Sequence, residues 1–137
     1  AASFSDMPRV PAFRETAGAT LRRQVVYTAA HFGIVEGYED GSFRPDDPVN
    51  RAEALKMLLL AAQLKASAES DAVLPFPDVS GDDWFAPYVQ TALDVEIVSG
   101  YDDGTFGPAN FITRAESAKI IQRTMSVAPF VNGYVLP

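Results

Sequence analysis

The chain has 137 residues, 47% of them hydrophobic, enough for one compact core or for two small units that share one. No apolar run nears the roughly 18 residues that cross a bilayer. The net charge is −7 and the eleven basic residues form no stripe, which argues against a nucleic-acid surface, and the absence of cysteine excludes disulfides and thiolate metal sites.

Residues 1–64 read as a first helix–loop–helix unit, 65–75 as a linker, 76–126 as a second unit and 127–137 as an apolar tail. The division follows from an internal duplication. Sliding 34–53 onto 97–116, an offset of 63, makes 11 of 20 positions identical. The opening motif FSDM at 4–7 returns as FPDV at 76–79, now at an offset of 72, so the first unit carries an insertion near 8–20.

In the first unit Val25, Val26, Ala29, Ala30 and Phe32 recur at helical spacing, and Gly33 or Gly37 is expected to end that helix. The loop GYEDGSF asks for positive φ at Gly41, with Asp40 bonded to nearby backbone N–H groups and Phe43 plugging the space between the helices. N-R-A-E at 50–53 then starts a second helix as a capping box, Asn50 and Glu53 bonding each other's backbone, and Leu55, Leu58, Leu59 and Ala62 form its stripe. The linker QLKASAESDAVLPFP follows.

The second unit repeats the plan. Asp and Ser residues in SGDDW are placed to cap a first turn, and Pro87 falls early in the helix. Tyr88, Val89, Ala92 and Leu93 form the stripe, and Gly100 is expected to stop it. GYDDGTF repeats the loop with Asp103, Gly104 and Phe106. T-R-A-E at 113–116 is a capping box, followed by an apolar stripe through Ala118, Ile121 and Met125. The tail SVAPFVNGYVLP is apolar enough that it is expected to pack on this chain, on a neighbour or on a further unit.

Most chemical readings of these residues fail. An EF-hand register with Gly41 or Gly104 sixth puts Asp47 or Asn110 at the twelfth position, where a bidentate Glu is required, so no metal is expected. The capping boxes account for Glu53 and Glu116. His31 reads as a half-buried structural histidine, and no nucleophile elbow, phosphate-binding loop or zinc helix is present, so no catalytic residue and no cofactor are expected. Arg51 and Arg114 are different. A cation at the first helical position opposes the helix dipole, so both copies need a partner anion, either an internal carboxylate or an anionic ligand at the helix N-terminus. Trp84, the single Trp, serves equally as core or as a stacking platform for a sugar.

F-x-D-V, a following Trp, an apolar helix, G-Y-x-D-G-x-F-x-P and I-T-R-A-E together resemble the S-layer homology repeat. The second unit carries Phe76, Asp78, Val79, Trp84, Ile97, Gly100, Asp103, Gly104, Phe106, Pro108, Ile112 and Thr113 to Glu116; the first matches from Ile34 to Glu53, with Leu21 where Trp84 would repeat. The resemblance implies an all-α fold of tandem helix–loop–helix repeats with short loop hairpins, forming part or all of a pseudo-threefold spindle. It implies a non-catalytic module at the extracytoplasmic bacterial cell wall that binds anionic, often pyruvylated, secondary cell-wall polysaccharide or a peptidoglycan-linked polymer. Carried over residue by residue, the ligand contacts are Arg114, Trp84 and Gly100, with Arg51 and Gly37 as first-unit counterparts. A homo-oligomer or a third repeat is expected to cover the remaining helix faces, with no nucleic acid and no membrane insertion. The competing reading is a self-assembly module that oligomerises without binding glycan.

Overall fold

The computed structural model describes residues 20–66 and 74–127. Among them are four helices, α1 (Thr20–His31), α2 (Arg51–Ala61), α3 (Ala86–Asp94) and α4 (Arg114–Val127), and no strand; one isolated antiparallel bridge pairs Asn50 with Phe111. The all-α expectation holds. The FSDM copy, the insertion up to residue 19, linker residues 67–73 and tail residues 128–137 lie outside the described residues. The chain divides into two compact units, residues 1–47 and 48–137.

In the unit of residues 1–47, α1 ends in a Schellman turn. Ile34 N–H donates to Ala29 at 2.8 Å and Gly33 N–H to Ala30 at 3.0 Å, with Gly33 at φ +68°. Gly33, not Gly37, is therefore the stop. Val25, Phe32 and His31 are exposed, so the predicted stripe is only half-buried, along Val26, Ala29 and Ala30, and His31 is not half-buried; its ring meets Phe32 edge-on at 5.4 Å. The Asp-Gly turn of the loop forms as expected. Tyr38 N–H donates to Ser42 at 2.9 Å, Gly41 has φ +75°, and the Asp40 carboxylate accepts from the Ser42 amide and hydroxyl at 2.9 and 2.6 Å.

In the unit of residues 48–137, α2 packs against both α3 and α4. Leu55 and Leu59 of α2 meet Val89 and Ala92 of α3, Ile97, Phe106 and Ile120 of α4 in one core. Phe106 is fully buried, the plug that its loop position calls for. The FPDV motif holds the loop: the Phe76 ring lies 5.6 Å from the Phe106 ring, and the Asp78 carboxylate accepts from the amides of Phe106 and Gly107 at 2.9 and 2.7 Å.

Three expectations for the second repeat need correction. Ser80 and Asp83 cap an earlier turn, with Asp83 accepting from Ser80 N–H at 2.8 Å, while α3 itself starts after Phe85 with no side-chain cap. Gly100 does not stop α3. A second Schellman turn does so four residues earlier, with Ile97 N–H to Ala92 at 2.7 Å and Glu96 at φ +59°. On α4 the buried residues are Ile120 and Thr124, whereas Ala118, Ile121 and Met125 face outward. Adjacent isoleucines left two stripes open, and packing on α2 selects the other one.

Candidate functional site

The first turn of α2 is docked onto the second repeat's loop. Three of the N–H groups that an isolated helix leaves unbonded are satisfied: Arg51 donates to the Asn110 carbonyl at 2.9 Å, Ala52 to Pro108 at 3.1 Å and Glu53 to the Asn50 side chain at 2.9 Å. Ile112 N–H returns a bond to Val49 at 3.0 Å. The arginine of the first repeat is thus seated in the loop of the second. It also follows that this helix N-terminus has no free amides to offer an anion; the guanidinium alone remains.

That guanidinium is enclosed. Arg51 is 6% exposed, and its guanidinium carbon lies 4.8 Å over the Tyr101 ring and 5.1 Å over the Phe106 ring. Its one ion pair among the described residues, from Nη1 to Oε1 of Glu116, is long at 3.5 Å, where a charge-assisted bond prefers about 2.7–2.9 Å. Its Nε is buried with no hydrogen-bond partner.

Glu116 divides its two oxygens. Oε2 closes the capping box, accepting from the Thr113 amide at 2.8 Å and hydroxyl at 2.7 Å. Oε1 accepts the Tyr101 hydroxyl at 2.5 Å and faces Arg51. Capping explains half of this carboxylate; the other half belongs to the pocket. The Tyr101 hydroxyl, then the Thr113 donors, hold the Glu116 carboxyl down to about 2, so it stays ionised, and the same bond pushes the Tyr101 hydroxyl up.

Around this pair is a pocket of about 90 Å³ lined by Arg51, Gly100, Tyr101, Glu116, Lys119 and Arg123, among others. This is room for about three waters, hence for a small acid group and not for a sugar ring. Gly100, at φ +76°, has a structural reason for lacking a side chain: a Cβ there would stand 2.4 Å from the Phe76 ring and 2.9 Å from the Thr105 carbonyl.

Of the five residues singled out by sequence, Arg51 and Gly100 meet in this pocket. Trp84 does not line it. The indole is 54% exposed, edge-on to Phe85 at 5.3 Å, with the Lys56 ammonium 5.6 Å from its ring. Five helical residues separate Lys56 from Arg51, about 140° around α2, so the two side chains leave different faces. Arg114 is exposed at the start of α4, and no ion pair or hydrogen bond engages it among the described residues. Gly37, the counterpart of Gly100, has φ +79° in the first loop. Asp40 and Asp103, the loop carboxylates nearest to a metal reading, are committed to the backbone and hydroxyl of Ser42 and Thr105, which hold both below the usual carboxylate range. Sequence reading missed Tyr101, Lys119 and Arg123. The signal was there: Tyr recurs in both loops, and 116, 119 and 123 fall on one helical face.

The family profile of the S-layer homology domain matches residues 22–55 and 75–118, more than half of the chain. Over 102 residues the chain is 36% identical to a "Surface layer protein" of Brevibacillus choshinensis and 35% identical to a "Middle cell wall protein" of Brevibacillus brevis, each alignment covering 74% of this chain. It is also 35% identical over 102 residues to a "Cellulosome-anchoring protein" of Acetivibrio thermocellus, covering 73% of this chain. The aligned part spans 9%, 10% and 22% of those relatives respectively. No solved structure matches. With the duplicated loop, the paired capping boxes and the profile falling on the same residues, the chain belongs to the S-layer homology domain family.

Proposed function

We propose that these repeats form a non-catalytic anchoring module that holds an anionic cell-wall polysaccharide without a covalent bond, the Arg51 pocket taking an acid substituent of the polymer. Family membership and surface-layer and cell-wall relatives make this a cell-surface module. The observation that carries the finer reading is Arg51 itself. A guanidinium this buried costs several kcal/mol to desolvate unless it is well paired, yet its pairing is one 3.5 Å contact and an unpartnered Nε. A ligand carboxylate, such as that of a pyruvate ketal, would add a partner for the part of the guanidinium that lines the pocket. A phosphate or uronate on a peptidoglycan-linked polymer has the same chemistry.

In this reading Arg51 supplies the charge contact, the Gly100 backbone approaches the ligand closely, and Trp84 stacks on a neighbouring sugar outside the pocket. Arg114 and Gly37 are the corresponding groups of further sites. Arg51 sits in the loop of the repeat that follows it, and the same rule would seat Arg114 in the loop of a third repeat. The repeats themselves are taken as 1–64 and 76–126.

The test is co-sedimentation with purified sacculi, before and after mild acid that strips ketals and secondary polymer. Binding that is lost on stripping, and lost in a folded Arg51→Gln variant, supports the reading. Binding that survives Arg51→Gln overturns the assignment of this pocket. One observation favours the self-assembly reading: Ala118, Ile121 and Met125 form an outward apolar stripe, with Ile121 42% and Met125 57% exposed. Concentration-dependent mass in sedimentation velocity, together with no affinity for sacculi, would establish that reading instead.

A further inference from the structure

The charges of the Arg51 pocket do not balance. Glu116 remains ionised and offsets Arg51, leaving Lys119 and Arg123 on the same rim with no carboxylate opposite them among the lining residues. The lining residues of the pocket therefore sum to a net charge of +2 in a chain of net charge −7, with Glu96 in the cleft that adjoins Arg123. Their placement is regular. Glu116, Lys119 and Arg123 lie at i, i+3 and i+7 on α4, one face of the helix, and a rise of about 1.5 Å per residue puts Lys119 about 4.5 Å and Arg123 about 10 Å along the axis from Glu116. Arg123 has a second duty, since its Nη1 donates to the Ile97 carbonyl at 3.4 Å at the end of the α3 turn. That bond leaves its charge unneutralised. Lys119 is exposed, and no hydrogen bond or ion pair engages it among the described residues.

We propose that the pocket selects a doubly anionic glycan: one acid group enters beside Arg51, and a second negative charge on the same ligand is held by Lys119, with Arg123 adding to the field. Lys119 is then the specificity-determining residue, discriminating a polymer with closely spaced acid groups from one with sparse acid groups. This rests on the anion-binding reading of the Arg51 pocket and adds to it the charge class of the ligand. The volume of about 90 Å³ supports the division of labour, since the pocket accepts one small acid group and the second must lie at the rim, where Lys119 is.

Three probes separate the alternatives by calorimetry on the full chain: a methyl hexuronoside with one carboxylate, a methyl di-uronide with two on adjacent sugars, and a hexose 1-phosphate with both charges on one group. The wild-type chain is expected to bind at least one dianionic probe about tenfold more tightly than the mono-acid, the magnitude of one charge-assisted contact. Lys119→Gln is expected to erase that preference, weakening the dianionic probes about tenfold and the mono-acid by clearly less, with the helical circular dichroism unchanged. The phosphate outranking the di-uronide identifies one doubly charged group; the reverse order identifies two carboxylates. Equal wild-type binding of mono-acid and dianions, or a preference that survives Lys119→Gln, overturns the proposal while leaving the anion pocket standing. Failure of all three probes, with sacculus binding insensitive to Arg51→Gln, overturns the pocket reading itself.

Discussion

The guanidinium of Arg51 lies 4.8 Å over the ring of Tyr101, a contact between the helix start of the first repeat and the loop of the second. The corresponding tyrosine of the first loop, Tyr38, is covered differently: Arg44 of its own loop stacks on it at 4.3 Å and pairs with Asp40 at 2.8 Å. Arg44 takes φ +53° at the position where the second loop has Gly107 at φ +69°. A Cβ at Gly107 would stand 2.6 Å from the Tyr101 ring and from the Asn110 side-chain amide, which would have to shift to admit it. In the second loop the backbone leaves the tyrosine face clear for an arginine from another repeat. In the first, the loop supplies its own. The duplication has kept an arginine–tyrosine stack in both copies while changing which residue makes it.

Gly100 and Gly104 separate packing from backbone strain. Both have positive φ, at +76° and +83°, but only Gly100 has neighbours that a methyl group would strike. Gly104→Ala is expected to cost about 1 kcal/mol, the left-handed penalty alone. Gly100→Ala adds overpacking against Phe76 and the Thr105 carbonyl, and is expected to cost about 3 kcal/mol or more. Urea melts of both variants test this; equal losses would show that the close approach at Gly100 is relieved at little cost.

Those two glycines also show how much the sequence revealed. Turn chemistry gave Gly41 and Gly104 their positive φ and Asp40 and Asp103 their bonds, because an Asp-Gly turn is settled within a few residues. Both capping boxes were legible for the same reason. The role of Gly100 in accommodating Phe76 was not, since that contact spans 24 residues of chain and depends on how the FPDV motif docks. The site was half legible. The repeated arginine called for a partner anion, but no local pattern says that Arg51 sits in the second loop, or that Glu116 has an oxygen to spare. The end of α3 had a signal in the alignment: Glu96 falls on Gly33, which reveals the left-handed position that Glu alone conceals.

That position gives a stabilising substitution. Glu96 holds φ +59° at the Schellman turn, a conformation that costs a side chain about 1 kcal/mol. Glu96→Gly is expected to raise stability by about 0.5–1 kcal/mol, less the added entropy of the unfolded chain. Thermal melts check it, and a lower midpoint would mean that the Glu96 side chain contributes more than its backbone costs.

Tyr101→Phe removes the main donor to Glu116 and should weaken the acid dependence of stability. The Glu116 carboxyl sits at about 2 in the folded chain against an ordinary 4.5. Because the folded value is the lower one, its contribution is complete above pH 4.5 and is lost as pH falls toward 2. Tyr101→Phe is expected to cost about 1–2 kcal/mol at neutral pH and much less near pH 2. The Thr113 donors remain, so part of the acid-sensitive stability should persist. A loss independent of pH would place the effect in ring packing.

The last prediction sets stability against binding at Arg51. Arg51→Met keeps the length and the apolar stem while removing a buried charge with an unpartnered Nε. Removing one member of a buried pair usually costs about 3–5 kcal/mol, because the other is stranded. Glu116 is not stranded: its side chain is a quarter exposed and retains Tyr101 and both Thr113 donors. Arg51→Met is therefore expected to leave the melting temperature unchanged or to raise it, while sacculus binding disappears. That combination would mark a group kept for its ligand at some expense to the fold. A fall in stability of about 2 kcal/mol or more would instead identify Arg51 as a structural lock between the two repeats, its charge satisfied by Glu116 and the faces of Tyr101 and Phe106.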